Sequence, residues 1–348
     1  MKKLLSMTMA CLLSLSLLTG CGGGEKISEA LVISNPELAN DQSANLAWLG
    51  VQNYAAHSST DAGLFINDGD FQGTVSKAAG RGAQAIVCLG DGIDTDVWKA
   101  QQKHSKTAFV YVGGEPRREA GAQADIAANT ICVNFDAAQI GYLAGYAAVL
   151  EGNTHLGFIS AADSSTAKAY ESGFIAGADQ AALTMNLPAG TVVVDEVTVL
   201  SDVMSPITME KALKLYRGGA SVIMACGENI LRMTVKAAET AGKKVISAGS
   251  DWTSRSDSVL MGSTFNLEDA VQDALERVNS EGFEGGSTIF SGAAAGSIGL
   301  KCRYDKMGSF NSTSYDALYA SLAAGSVTAP EDNTEGTEHV TVNKTPMA

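Results

Sequence analysis

Ten short runs of apolar residues recur along the chain, and none of them has a polar face. They fall at 30–33, 63–66, 85–89, 108–112, 130–133, 156–159, 191–194, 221–224, 244–247 and 288–290. A strand with one wet face alternates apolar and polar residues, whereas a strand covered on both faces is apolar throughout. The runs therefore predict parallel strands between two layers of helices. The segments between them have the period of a helix. In 136–150, Ile140, Leu143, Ala144, Ala147 and Leu150 share one face, and Asp136 is placed to cap the first turn. Similar patterns cover 43–56, 166–183, 203–216, 230–241, 267–279 and 314–324. Gly141, Gly145, Gly173 and Gly177 are expected to let these helices lie close to a sheet, and Gly152, Gly218-Gly219 and Gly242 to stop them. The class is α/β. With 348 residues the chain exceeds one ordinary core, so two lobes are expected.

Composition narrows the function. The chain has 24 Lys and Arg against 38 Asp and Glu, a net charge of −14, with no basic run beyond its first residues. Phosphate backbones are bound by clustered cations, so nucleic acid is excluded as a partner. No Walker loop, Gly-x-Ser-x-Gly elbow, His-Glu-x-x-His helix or Cys-x-x-Cys pair occurs. Gly90-Asp-Gly92 follows a strand, but Thr95 stands where a dinucleotide loop needs its third glycine, and a tight turn is the simpler reading. The four histidines are isolated, and the acid pairs Asp94/Asp96 and Asp195/Glu196 are expected to be merely solvated. The reading is a protein that is not an enzyme, with no cofactor and no metal.

The first residues read as an export signal. Lys2 and Lys3 precede an apolar run from Leu4 to Leu18, shorter than the about 20 residues a spanning helix needs. Leu18-Thr-Gly-Cys21 resembles a bacterial lipobox, which implies cleavage after residue 20, a lipid on Cys21 and a flexible leash over 21–28. An ordinary signal peptide followed by a coincidental cysteine is the alternative. Cys88, Cys132, Cys226 and Cys302 are expected to be buried free thiols, although export permits disulfides that sequence cannot pair.

Several segments resemble one family in order. They are Asn40-Asp-Gln-Ser-Ala-Asn-Leu-Ala-Trp-Leu-Gly50, Asn129-Thr-Ile-Cys-Val-Asn-Phe135 with Ile140-Gly-Tyr-Leu-Ala-Gly145, and Leu156-Gly-Phe-Ile159 with Tyr170-Glu-Ser-Gly-Phe-Ile-Ala-Gly177. Ala237-Ala-Glu-Thr-Ala-Gly242, Val245-Ile-Ser-Ala-Gly-Ser-Asp251 and Ala324-Gly-Ser-Val-Thr-Ala-Pro330 continue it. Together they cover most of the chain after the leader and resemble the basic membrane protein family of bacterial lipoproteins, purine-nucleoside receptors that feed ABC transporters. The resemblance implies a type I periplasmic-binding-protein fold, two doubly wound lobes joined by three crossovers near Asn134, Asn266 and Ser291. One lobe is then expected to hold 29–134 and 266–290 and the other 135–265 and 291–327, with 328–348 as a disordered tail.

In open α/β sheets ligands sit beyond the carboxyl ends of the strands, so two facing lobes form one cleft. The ligand-binding candidates at those ends are Asn40, Asp41, Ser43, Asn45, Asp91, Asp163, Glu228, Asn229, Asp251, Trp252 and Asn266. Carboxylates and amides suit ribose hydroxyls and base edges, and an aromatic ring would stack on a base. Helix capping alone would also explain Asn40, Asp41, Asp163 and Asn229. The chain departs from the family at several contacts. Ser43-Ala44-Asn45 has no stacking aromatic, Gly113 and Gly249 replace Asp, and Asn266 replaces Lys. Trp252 is the expected substitute ring. These departures bear on the solute, not on the fold. The implied role is a lipid-anchored, extracytoplasmic solute-binding protein that delivers a small polar solute, a nucleoside by resemblance, to an ABC permease. A surface sensor or adhesin that keeps the fold without transport is the alternative, and a nucleoside-processing enzyme the third reading.

Overall fold

Each of the ten apolar runs contributes a strand. The structure is a computed structural model that describes residues 26–40, 42–90, 92–162, 164–332 and 335–345. The leader, Cys21 and most of the leash lie outside the described residues. The first part of the chain runs β1 (Glu29–Ile33), α1 (Gln42–Ser58), β2 (Ala62–Ile66), α2 (Phe71–Gly80), β3 (Ala85–Leu89), α3 (Asp94–Lys103), β4 (Ala108–Val112) and β5 (Thr130–Phe135). It continues through α4 (Ala137–Leu150), β6 (His155–Ala161), α5 (Ser165–Thr184), β7 (Val192–Val199), α6 (Pro206–Gly218), β8 (Val222–Cys226), α7 (Glu228–Ala241), β9 (Lys244–Ala248) and β10 (Val259–Phe265). The last elements are α8 (Leu267–Val278), β11 (Ser287–Ser291), β12 (Ile298–Cys302), α9 (Ser312–Ala323) and β13 (Val340–Thr345).

The strands form two separate sheets. The first has the order β11-β5-β4-β3-β1-β2, and the second β12-β10-β9-β8-β6-β7-β13. All pairs are parallel except β10 with β12. Successive residues of one strand enter different cores, which is why the runs are apolar throughout. Leu31 and Ile33 pack with α1 and α8, while Ala30 and Val32 pack with Phe71, Val75 and Val97 of α2 and α3. In the second sheet Val222 and Met224 face the α4 and α5 side, and Ile223 and Ala225 the α6 and α7 side. Each fully buried Leu, Ile or Val contributes roughly 1.5–3 kcal/mol.

The chain crosses between the sheets after β5, after β10 and after β11. β5 and β11 of the first sheet and β10 of the second end at these crossings, so the carboxyl ends of both sheets point at each other. Phe135 and Phe265 close the hinge, with ring centroids 4.8 Å apart, and each packs against a core of both lobes. Asp136 N–H donates to Ser291 O at 3.0 Å and Asn266 N–H to Ser297 O at 2.8 Å, which ties the crossings together.

Two expectations are corrected. The four glycines serve helix against helix, not helix against sheet. A Cβ at Gly141, Gly145, Gly173 or Gly177 would lie 2.2, 2.0, 1.9 or 2.0 Å from the carbonyl oxygens of Tyr170, Phe174, Ala138 and Tyr142, so the backbones of α4 and α5 touch. The tail after residue 327 is not structureless throughout. β13 joins the edge of the second sheet beside β7, and Val340 is fully buried. Its period of two residues, Val340 and Val342, is too short to register against the polar sequence around it. β10 and β12 were likewise hidden, because Gly262, Ser263 and Thr264 interrupt the first and Gly299 and Lys301 the second.

Cys88, Cys132 and Cys226 are buried free thiols, and Cys302 is half-buried and also free. Burial pushes the Cys132 and Cys302 thiols up to about 12. Among the described residues no helix is long and apolar enough to cross a membrane.

Candidate functional site

The turns that leave the carboxyl ends of the strands carry the polar side chains of the candidate site. On the first lobe, Asn67 donates to Ser34 O at 2.8 Å, and Asn35 accepts from Leu38 N–H at 2.9 Å. Gly90 has φ +135° and a Cβ there would sit 1.9 Å from Ser34 Oγ, so only glycine lets the turns after β1 and β3 close on each other. Tyr111 donates to Asp94 at 2.7 Å. Arg117 stands 3.6 Å from Asp94 and 3.0 Å from Glu115, which also accepts from Thr288 at 2.7 Å. Asp94 is thus part of a polar network and not merely solvated.

On the second lobe, Glu228 opens α7. Its carboxylate lies 2.8 Å from Arg232 and 4.0 Å from Arg255, and accepts from Ser250 at 3.3 Å. The amino end of α7 is capped from outside: Asp202, on the turn after β7, accepts from Ile230 N–H at 2.9 Å, and Asn229 donates to Asp202 O at 3.1 Å. Gly227, at φ +108°, leaves the space that Asp202 fills. Asp251, after β9, accepts from Thr253 N–H at 2.8 Å, from Thr253 Oγ1 at 2.6 Å and from Lys301 at 2.9 Å. Partial burial alone would raise its pKa, but the Thr253 and Lys301 bonds outweigh it and hold the carboxyl below the usual carboxylate range.

The candidates separate accordingly. Glu228, Asn229 and Asp251 gather on the second rim, around the start of α7 and the end of β9. Ser43, half-buried, and Asn45, exposed, lie in the first turn of α1 on the other lobe, just after the short turn Leu38–Asn40 that holds Asn40. Asp41, Asp91 and Asp163 lie outside the described residues. Asn266 caps α8, accepting from Asp269 N–H at 3.3 Å and donating to its carboxylate at 2.6 Å, a helix-starting role at the hinge. Trp252 does not offer a bare ring. It is 8% exposed and packs in the core with Ile230, Leu231 and Val235, and Arg232 and Arg255 sit 5.0 Å from its centroid. An indole gains more from burying its large apolar surface behind α7 than from facing water. Asp202, Glu115, Arg117 and Lys301 were not found by sequence reasoning, since their partners come from other elements. Only the rule of strand ends could have flagged Glu115.

Apart from the rims, Glu171 of α5 is almost fully buried beside Glu196 of β7. Burial, then the hydrogen bond and the charge of Glu196, push the Glu171 carboxyl up to about 8. The pair Asp195/Glu196 is therefore not simply solvated, and Asp195 bonds His155 Nε2 at 2.7 Å.

The model of the Bmp family, described as ABC transporter substrate-binding protein PnrA-like, matches residues 39–320. No curated protein matches the chain significantly. Among solved structures, an ABC transporter solute-binding protein from Conexibacter woesei aligns at TM-score 0.64 with 18% identity, covering 88% of this chain and 99% of that one. A transcriptional activator of the comK gene from Bacillus halodurans aligns at TM-score 0.64 with 15% identity over 87% and 100% of the two chains. A solute-binding protein from Aeropyrum pernix aligns at 0.59 with 13% identity over 88% and 94%. At these identities the structural likeness bears on the fold, which is the two-lobed α/β fold of periplasmic binding proteins.

Proposed function

The chain belongs to the Bmp family of PnrA-like ABC transporter substrate-binding proteins, and from that premise we propose that it binds a small polar solute of the nucleoside class between its lobes. As a substrate-binding protein of an importer it works outside the cytoplasm and serves a permease, and it is not an enzyme. The finer reading adds a lipid on Cys21 that tethers it to the cell membrane. It also assigns solute contacts to Glu228, Asn229 and Asp251 on one rim and to Asn40, Asp41, Ser43 and Asn45 on the other, with Asp91 and Asp163 completing the strand-end set.

One observation supports the solute reading: the chain crosses three times between two mainly parallel sheets, at the carboxyl ends of β5, β10 and β11, the end of an open α/β sheet where ligands bind. Closure about Phe135 and Phe265 would bury a molecule held by both rims. Asp251, kept ionised by Thr253 and Lys301, suits a pair of hydroxyls of the ribose type, which donate to a carboxylate. Because Trp252 is buried, a base would rest on backbone and aliphatic groups and stacking would add little, so nucleosides with different bases are expected to bind with similar strength.

Thermal unfolding of the whole protein with nucleosides, free bases and sugars is the test. A nucleoside at a hundredfold excess over its Kd should stabilise the protein by about 2.7 kcal/mol. Stabilisation by a sugar alone would move the solute class, and no stabilisation by any of them would remove the nucleoside reading. Mass spectrometry of the membrane-extracted protein should show a diacylglyceryl adduct on Cys21. An unmodified Cys21 thiol would sink the anchor.

A further inference from the structure

The end of the chain is strapped onto the second lobe through acidic side chains. β13 lies at the edge of its sheet, paired with β7. Asn343 of β13 donates to Asp195 of β7 at 2.9 Å, and Thr337, just before the strand, donates to Asp179 of α5. Lys344 of β13 stands 3.8 Å from Glu196 of β7 and 3.7 Å from Glu335. Residues of α5, β6, β7 and β13 line a polar cavity of about 130 Å³ at this edge. There Glu171 of α5, only 4% exposed, shares a hydrogen bond with Glu196, and the bond requires one proton between the two acids. The other charged and titratable groups that face the pair are Lys168 of α5, Lys344 and Glu335 of the tail, and the buried thiol of Cys226 on β8.

Two carboxyls in contact keep a proton between them because two charges so close and so poorly hydrated repel each other. Once that proton is lost, both charges need water, and the walls around them differ in their freedom to move. α5 is fixed to α4, whose backbone it touches at Gly141, Gly145, Gly173 and Gly177. β7 lies inside the sheet, between β6 and β13. Among the described residues β13 has a strand on one side alone, and a segment held by a single ladder opens before the centre of a sheet does. Lys344 opposes the opening, but its side chain is 45% exposed, and an ion pair shared with water is weak. We propose that the Glu171–Glu196 pair is a proton-operated clasp: with its proton in place it keeps β13 on β7, and when the proton leaves, water enters the cavity and β13 detaches while the rest of the sheet stays folded. Burial and the neighbouring acid push the Glu171 carboxyl up to about 8, so the clasp is shut at neutral pH and opens in mildly alkaline solution. The segment it releases lies beyond residue 320, where the family match ends.

Hydrogen exchange of the full chain, read by mass spectrometry at pH 6 and pH 9 and corrected for the intrinsic rate at each pH, tests the clasp. Between the two pH values, peptides from β13 should lose at least about tenfold more protection than peptides from β8, in the middle of the same sheet. E171Q keeps the hydrogen bond with an amide proton that does not titrate, and should cut the loss in β13 to less than about twofold. E196Q does the same from the other side of the cavity and should repeat the result. K344M should lower the protection of β13 at both pH values and leave its pH dependence in place. Equal losses in β13 and β8 would mean that the lobe opens as a whole, and would overturn the proposal. A β13 loss of native size in both glutamine variants overturns it as well, and so does disappearance of the pH dependence in K344M, which would assign the hold on β13 to the lysine.

Discussion

Asp251 at the end of β9 and Glu171 in the middle of α5 belong to the same lobe, and both are withdrawn from water, yet they titrate in opposite directions. Three donors from Thr253 and Lys301 converge on Asp251, and its carboxyl stays below the usual range. Glu171 meets another acid, Glu196, and burial with that neighbour pushes it up to about 8. Withdrawal from water does not by itself decide the charge; what the neighbours can donate does. Asp251 on the rim therefore keeps its charge at neutral pH, while Glu171 on the flank of α5 holds its proton up to about pH 8.

The largest expected effect tests the Glu171 half of the contrast. Its pKa in the folded chain lies above its unfolded value of 4.5, so its contribution to stability is fully present below pH 4.5 and is lost as pH rises through about 8. The loss between pH 5 and pH 9 is expected to be roughly 3 kcal/mol, less than the whole shift implies because the pair relaxes and hydrates. Urea unfolding across that range in metal-free buffer should show the slope in the native protein. E171Q, which stays neutral, should remove most of it. A slope unchanged in E171Q would assign the effect to another group and break the contrast.

The Asp251 half appears at the other end of the pH scale. A lowered pKa contributes stability above about pH 3.8 that is lost as pH falls through the folded value. Asp251→Ala removes the acceptor of Thr253 N–H and Oγ1 in a residue that is 1% exposed, so a cost of about 1–3 kcal/mol is expected at pH 7. The same variant should weaken solute binding about tenfold or more. Asp251→Asn, which keeps an acceptor for Thr253, should recover most of the stability but not the affinity. If both variants bind as the native protein does, the solute contacts lie elsewhere on the rims.

This contrast also shows where sequence is legible. The strands could be read because each run feeds two cores at once, as Leu31 and Val32 do, and that demand leaves a continuous apolar imprint. β10 left none, since Gly262 is needed where a Cβ would sit 2.9 Å from the Cα of Asp251, and polar Ser263 and Thr264 follow it. Glu228 and Asp251 could be picked out as site candidates from their place after a strand, a property of chain order. The direction of Trp252 could not, because whether a ring turns to the gap or to the core depends on α7 packing against it. Glu171 and Lys301 were invisible for the same reason. Their partners, Glu196 and Asp251, lie on other elements, and a distance in sequence says nothing of the meeting.

The smallest expected effect concerns the donor that completes Asp251. Lys301 stands 2.9 Å from its carboxylate, but its side chain is 54% exposed, so water and salt share the interaction. Lys301→Met should cost less than about 1 kcal/mol, and the difference should fade as salt is raised to 0.5 M, roughly where screening acts within about 4 Å. Because Thr253 still donates twice, Asp251 should remain ionised at neutral pH in this variant, and only the acid end of its stability profile should move upward. A double-mutant cycle of Lys301→Met with Asp251→Asn measures the pair alone. A coupling well above 1 kcal/mol would mean that the ion pair, rather than the Thr253 bonds, sets the charge of the rim, and the two carboxylates would then differ by a single cation.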